Sequence, residues 1–506
     1  MQLRVMSEDD VQRIHDATLT VLERSGIWIL DMTEEVRQLL QKHGCTIEQD
    51  RVRFPKKLVE ECLRQLPSRD EPGFYYHKRG LKQGESRLYL IGNAYYIYDY
   101  EKGAHRDCEE SDIENKLLIL DSTRHFEGDW CNLVCHSERH GGGAPITFAT
   151  PADALNFVRR WSERRAGRDY PRKSALNLSS EQGRLARLAQ MLIQPPAEAM
   201  KVRAIMGEAR GIFLNPLSPL QIKAWDAQRI VEVAKSKERY RWIMPCPEVM
   251  LGLTGPVTLA GSLVQNNAEV LAVGCLAQMA GPGAMVIYGC VSAAADLRSG
   301  AVSHGNFETA LFDAAAVQMA DHYGMPTRIS PGNTSAREPG VRAAVESAIG
   351  LYMGIAAGGN IITTGLLDST LMISYEHLVL LDEIVTLIKQ TTGGLGIDAE
   401  SLALEVIDQE GRPSSNYVSS EHTVRNMKRD IYYSDFVGRI EASYQDWYEK
   451  AHTRVKEVLS AKCPDPQLQK DLEAKLAAVG ARLKENDTTW RTGEGEWWKY
   501  YIQDLC

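Results

Sequence analysis

The sequence predicts an α/β protein built on a TIM-type (β/α)8 barrel, with N-terminal helices, an antiparallel β insert and a helical C-terminal extension. Three observations carry that expectation. From about Arg106 onward, short apolar runs (DWCNLVC, GIFLNPL, RWIMPCPEVM, AMVIYGC, MPTRIS, NIITTGLL) alternate with helical stretches (LAGSLVQNNAEVLAVGCLAQMA, GNFETALFDAAAVQMADHYG, GVRAAVESAIGLYMGIAAG), which is the rhythm of βα units. Between Val302 and Glu383 the strands run into polar, Gly-rich loops, as in a parallel barrel that presents a site at its mouth. A chain of 506 residues is long enough for one such barrel with helices added at both ends.

The first 70 residues read as a helical region. Ser7 and Asp10 form a capping box, and Val11, Ile14, Thr18, Val21 and Leu22 make an apolar stripe, which predicts a helix from about Ser7 to Ser25. TEEVRQLLQKHG is a second helix closed by Gly44, a turn follows at Gln49-Asp50, and FPKKLVEECLRQLP is a third helix opened by Pro55. Over 71–107 the runs FYYHKR, SRLYLIG and AYYIYDY, bounded by Gly80, Gly84, Gly92 and Gly103, predict the antiparallel insert. Strict alternation puts Tyr96, Tyr98 and Tyr100 on one face and Tyr95 and Ile97 on the other. The barrel is expected over 108–440, with EHLVLLDEIVTLIKQTTGG and AESLALEVIDQEG among its late helices. Residues 441–506 hold two further helical stretches and the aromatic run TTWRTGEGEWWKYYIQDLC, which suits an arm or a homo-oligomer contact.

Hydrophobic residues make up 44% and charged residues 25% of the chain, the balance of a globular protein. The formal net charge of −9 speaks against nucleic acid as the main partner. A basic leader followed by an apolar stretch is missing from the first residues, and no uninterrupted apolar run reaches about 18 residues. The expected setting is the cytoplasm, without a membrane, where the 10 cysteines stay free thiols.

Several polar residues fall where barrel strands end. His304, Asn306 and Glu308 stand at a strand-to-helix junction, where they either line a site or cap the helix. Asn360, Thr364 and Asp368 lie on or beside the strand NIITTGLLD, with Asp368 equally suited to capping a helix that begins near Ser369. Cys131, Cys135, His136 and His140 form a C-x3-C-H-x3-H string whose spacing differs from paired zinc ligands, so no metal is expected. No P-loop, dinucleotide fingerprint or nucleophile elbow is present.

Three stretches, the N-terminal helix-hairpin-helix pattern, PCPEVMLGLTGPVTLAGSLVQNNAEVL and the run from Val302 to Glu383, resemble the trimethylamine methyltransferase family. The resemblance covers most of the chain. It implies a TIM-type barrel that passes a methyl group from a methylated amine to the cobalt(I) of a corrinoid. This chain has no cobalamin-binding D-x-H-x-x-G run, so the corrinoid is expected on a separate protein, with no cofactor bound permanently. Trimethylamine enzymes of the family carry pyrrolysine in the barrel, and this sequence has none, so it resembles the non-pyrrolysine, glycine betaine or carnitine type. Chemistry points the same way. A neutral trialkylamine would have to leave as an amide anion, whereas a quaternary ammonium leaves as a neutral tertiary amine, so catalysis reduces to positioning and desolvation.

The expected substrate is therefore a small, betaine-like quaternary amine. A cation without an N–H is recognised by aromatic faces, and the resemblance assigns Tyr95 and Tyr96 to that task. Asp368 and Asn360 are expected to line the pocket together with Glu308 and Thr364. His304 and His422, the latter in NYVSSEHT, would contact the substrate's other end. The chain departs from the betaine pattern at Leu367-Asp368-Ser369-Thr370 and at Thr363-Thr364, where aromatic residues and a histidine are expected. Two other readings stay open: a barrel lyase or decarboxylase acting on a small carboxylate, and a catalytically silent amine-binding scaffold.

Overall fold

The computed structural model describes residues 2–69, 84–135, 144–145, 210–236, 241–434, 436 and 446–461. His136, His140, the run FYYHKR, the helix expected over 464–486 and the aromatic C-terminal run lie outside the described residues.

The three N-terminal helices form where the caps predict. Ser7 and Asp10 close a reciprocal capping box on the helix Glu8–Arg24, Thr33 caps Glu34–Lys42, and Pro55 precedes Lys56–Leu63. Gly44 turns the chain with φ +87°, a conformation costly for any residue with a Cβ, and leads into the hairpin Thr46–Glu48 and Arg51–Arg53. Helix Glu8–Arg24 packs on the long helix Leu259–Ala280, where Asn267 Nδ2 donates to Thr18 Oγ1 at 2.9 Å and to Tyr323 OH at 2.8 Å.

The main sheet is parallel. Arg210–Leu214, Arg241–Pro245, the run Met285–Val286 continued by Tyr288–Gly289, Thr327–Ile329, Ile361–Thr363, Arg87–Ala94 and Phe126–Cys135 lie side by side in that order. Ile287 bridges its two short pieces by donating to Ile243 O at 2.9 Å. Helices Ala224–Lys235, Leu259–Ala280, Phe307–His322, Val341–Ala357 and Tyr375–Thr392 follow the strands in turn, as βα units require. Among the described residues Arg210–Leu214 does not pair with Phe126–Cys135, whose other edge carries the short antiparallel strand Ala144–Pro145, so a closed barrel is not formed by them.

One element differs from the sequence expectation. SRLYLIG reads as part of the antiparallel insert, yet Arg87–Ala94 is an inner strand of the main sheet, parallel to both neighbours. Leu88, Tyr89 and Leu90 are all buried, the pattern of a strand covered on both faces. The antiparallel part is confined to the hairpin Tyr96–Asp99 and Ala104–Asp107, which sits beside Met372–Ile373.

Two large apolar cores result, beside a small cluster of Ala336, Ala343, Leu367 and Met372. The larger lies between the sheet and its helices and takes the outward residues Leu88, Leu90, Ile212, Leu214, Ile243, Ile329 and Ile362. A second lies on the other face of the sheet and gathers Tyr89, Trp242, Met244, Cys246, Met285, Ile287 and Ile361. The C-terminal helix Trp447–Ser460 docks on Tyr375–Thr392, where Tyr448 OH meets His377 Nδ1 and His452 Nδ1 meets Glu376 Oε1, each at 2.9 Å.

Candidate active site at the carboxyl ends of the strands

Alternation decides which side chains reach the second core. In Arg210–Leu214 the outward residues are Ile212 and Leu214, which leaves Gly211 and Phe213 on the inner face; in Arg241–Pro245 the inner residue Trp242 continues to Met244 and Cys246. Arg328 lies between the outward residues Thr327 and Ile329, so it too points inward. Its guanidinium carbon stands 5.9 Å from the centre of the Phe213 ring. Their strands are third neighbours, which in a flat sheet means about 14 Å between them. The sheet therefore curls, and its inner face is concave. Gly211 and Gly289 leave the space their neighbours use: a Cβ on Gly211 would fall 1.9 Å from the Trp242 ring and one on Gly289 2.4 Å from Cys246 Sγ.

The floor of this concavity is apolar, and its upper part is charged. Arg328 is only 4% exposed, and its Nε and Nη1 are buried without a partner. Phe213 is 38% exposed although it sits on an inner face, so it borders open space. Glu248, just past the strand Arg241–Pro245, is exposed and takes a hydrogen bond from Asn215 Nδ2 at 2.7 Å. On the helix Phe307–His322, within reach of the Arg328 charge, burial pushes Asp313 up to about 8. The Ser330 N–H and the Cys290 thiol act in the opposite sense but leave both carboxyl oxygens short of full hydrogen-bond geometry. Asp313 is thus protonated at neutral pH and does not neutralise Arg328. Burial pushes the Cys246 thiol to about 12 and raises Cys290 as well, so neither is a ready nucleophile.

Loops from four neighbouring strands are tied together above this region. Ser369 Oγ donates to Val302 O at 2.9 Å and shares a hydrogen bond with Ser335 Oγ at 2.8 Å, while the His304 N–H donates to Ser335 Oγ at 2.8 Å. The Tyr95 N–H, at the end of Arg87–Ala94, donates to Leu371 O at 2.8 Å. Asp368, Ser369 and Thr370 hold φ of 48°, 53° and 79° in succession. Non-glycine residues in this region cost about 1 kcal/mol or more each, and such strain collects at functional rims.

The sequence candidates are distributed unevenly around this site. His304 is buried in the tied loops, with Nδ1 unpartnered and its pKa pushed down to about 4 by burial. Thr364 is buried at the end of its strand, its N–H donating to Tyr89 O at 3.1 Å. Asp368 belongs to the same rim and pairs with the exposed Arg337 at 3.1 Å. Tyr95 stands one residue past the strand in which Tyr89 and Ile91 point inward, whereas Tyr96 packs beside Tyr98 on Ala336, Ala343, Leu367 and Met372, with its ring 5.0 Å from His105. Glu308 lies in the first turn of a helix whose cap is Asn306, accepting from the Thr309 N–H at 3.0 Å.

Two candidates stand elsewhere. Asn360 is at the opposite, amino end of Ile361–Thr363, where its Oδ1 accepts from the Thr327 N–H at 3.1 Å and its Nδ2 donates to Glu85 O at 3.1 Å. It clamps three strands at their base. His422 is on the helix Glu421–Asp430, its Nε2 3.0 Å from Glu400 O, in a stretch where Asn426 is the buried residue of that helix. Cys131 is buried under the Lys116 ammonium, which donates to its carbonyl, and no group of three metal-binding side chains occurs among the described residues.

Phe213, Glu248 and Arg328 were not among the sequence candidates. The signal was available in MPTRIS, a strand with an arginine at an inward position, where every alternative to a ligand or a buried partner is costly.

Residues 1–126 and 199–487 match the family model described as trimethylamine methyltransferase (MTTB). Glycine betaine methyltransferase of Desulfitobacterium hafniense strain Y51 is 28% identical over 508 residues, covering 95% of this chain and 97% of that protein. Trimethylamine methyltransferase MttB2 of Methanosarcina mazei is 27% identical over 454 residues, covering 84% of this chain and 83% of that protein. Among solved structures, the hydroxylamine MtmB complex overlaps 94% of this chain and 92% of its own at 10% identity and a TM-score of 0.42, too loose a superposition to bear on fold or function.

Proposed function

The chain belongs to the trimethylamine methyltransferase family, and from that premise we propose that it transfers a methyl group from a quaternary amine to the cobalt(I) of a corrinoid carried by a separate protein. The observation that carries this reading is the family match over both halves of the chain, joined to a sequence without pyrrolysine. The quaternary nitrogen leaves as a neutral tertiary amine, so the protein has to hold and desolvate the donor and need not activate it chemically.

In this reading the parallel strands are the wall of a (β/α)8 barrel. Their order and the curl that brings Arg328 to Phe213 support it. The donor sits in the concavity with Phe213 and Tyr95 as aromatic walls, and the corrinoid protein docks on the tied rim of loops, where Asp368, Ser369 and Thr370 are held rigid. A rim fixed by cross-loop hydrogen bonds keeps donor and acceptor in line, which is where most of the rate of such a transfer originates. Among the described residues no helix is long and apolar enough to cross a membrane, and we place the reaction in the cytoplasm.

The test is a screen of methylated amines with reduced corrinoid protein, read by absorbance. Conversion of cobalt(I) to methyl-cobalt(III) with release of the matching tertiary amine is the expected result. Absence of any cobalt change across the whole panel would overturn the proposal.

A further inference from the structure

Arg328 is the anomaly of the inner face. A guanidinium at 4% exposure, with two nitrogens lacking a partner, bears a desolvation cost that a structural arginine offsets with a carboxylate. Here no ion pair forms between Arg328 and any described residue, Asp313 is held neutral, and Glu248 instead takes its hydrogen bond from Asn215. The Phe213 ring 5.9 Å away contributes a cation–π contact but fills none of the guanidinium's hydrogen-bonding positions. What remains unmet is an acceptor for a planar fork of N–H donors, and the group that fits such a fork is a carboxylate.

We propose that Arg328 is the anion-recognition residue of this pocket, taking the carboxylate of a zwitterionic donor so that its quaternary ammonium end points outward to the rim. This rests on the methyl-transfer reading above and sharpens it: tetramethylammonium and choline lack the anionic end and are poor donors. Depth supports the polarity. Arg328 is nearly sealed, while Phe213 is over a third exposed, so the anion lies inward and the methyl-bearing end lies where an acceptor can approach. The carboxylate is a handle only and takes no part in bond making or breaking.

The test is calorimetry on the full chain without corrinoid protein, using three probes: glycine betaine, 3,3-dimethylbutyrate (the same carboxylate with an uncharged tert-butyl group) and tetramethylammonium. Arg328→Met should weaken both carboxylates by about tenfold or more and leave tetramethylammonium unchanged or tighter. Arg328→Lys should fall between. The melting midpoint of Arg328→Met should stay level or rise, because an unpaired buried charge has been removed. Equal carboxylate affinity in wild type and Arg328→Met, or no carboxylate binding by the wild type, overturns the proposal. So does a lowered midpoint with all three probes lost, which marks a structural arginine. Binding is read without turnover, so a protein that binds as expected but never methylates cobalt would refute the methyl-transfer reading alone.

Discussion

Arg328 and Phe213 approach to 5.9 Å across a sheet in which their strands are third neighbours. That one contact converts a list of parallel strands into a concave wall, and it sets an aromatic face beside a buried cation at the carboxyl ends of the strands. Phe213 is also exposed enough to be replaced without disturbing the core. Phe213→Leu should weaken binding of the quaternary donor by roughly 0.5–2 kcal/mol, the range of a cation–π contact, with little change in unfolding midpoint. Calorimetry and a urea melt on the same preparation decide it; unchanged affinity would move the aromatic wall away from Phe213.

The two adjacent tyrosines should behave differently. Tyr96 packs in a small cluster with Tyr98, Leu367 and Met372 and meets His105 edge-on, so Tyr96→Leu should lower stability by about 1 kcal/mol and spare donor affinity. Tyr95 stands just past the end of Arg87–Ala94, where the proposed function sets it on the pocket wall, and Tyr95→Leu should do the reverse. A double set of melts and binding curves tests the split, and the reversed pattern would restore Tyr96 to the pocket.

Much of the fold is legible in the sequence because βα rhythm and helix caps are local signals: Ser7 with Asp10, Pro55 and Gly44 each act as read. Arg87–Ala94 was misassigned because a strand's partners are a long-range property, and its flanking glycines look the same beside a hairpin. The site was less legible. His304, Thr364 and Asp368 lie beside the concavity because they follow strands, whereas Asn360 precedes one, and a shift from end to end of a three-residue strand changes which end of the sheet a residue occupies. Arg328 is not legible as a candidate in the sequence, because an arginine in a strand announces nothing until the partners of its guanidinium are known.

Asp313 gives the protein a pH signature. Burial raises its folded pKa from 3.8 to about 8, so between about pH 4 and 8 the unfolded chain releases a proton that the folded one keeps. Stability contributed by this group is therefore present below pH 4 and lost as pH rises toward 8. His304, lowered from 6.5 to about 4, acts in the opposite sense and costs stability as pH falls through that interval. Asp313→Asn removes only the first slope. The variant should gain on the order of a few kcal/mol over wild type at pH 8 and almost nothing at pH 4. Denaturant melts across that range that run parallel for both proteins would contradict the assignment.

Metal removal should leave turnover intact. The donor's leaving group is already neutral, so a Lewis acid has nothing to activate, and Cys131 and Cys135 begin a string whose spacing does not suit zinc. Protein dialysed against a chelator should methylate cobalt at the untreated rate. Stoichiometric zinc that departs together with activity would show that the reaction needs what this chemistry says it does not.

The donor preference itself is the sharpest expectation. Trimethylamine as the free base cannot expel an amide anion, and its protonated form carries an N–H that holds water strongly and must be desolvated to enter an apolar concavity. It also lacks a carboxylate to meet Arg328. A quaternary ammonium has no N–H to satisfy, spreads its charge over methyl groups that suit the faces of Phe213 and Tyr95, and leaves as a neutral amine. With reduced corrinoid protein, a panel of betaines, carnitine, choline, trimethylamine and dimethylamine should therefore give cobalt methylation with the quaternary compounds, strongest for those that carry a carboxylate, and essentially none with the tertiary and secondary amines. Product mass identifies the amine released. Trimethylamine turnover comparable to the best quaternary donor would mean that this chain activates its leaving group by some device that neither the missing pyrrolysine nor the described pocket supplies.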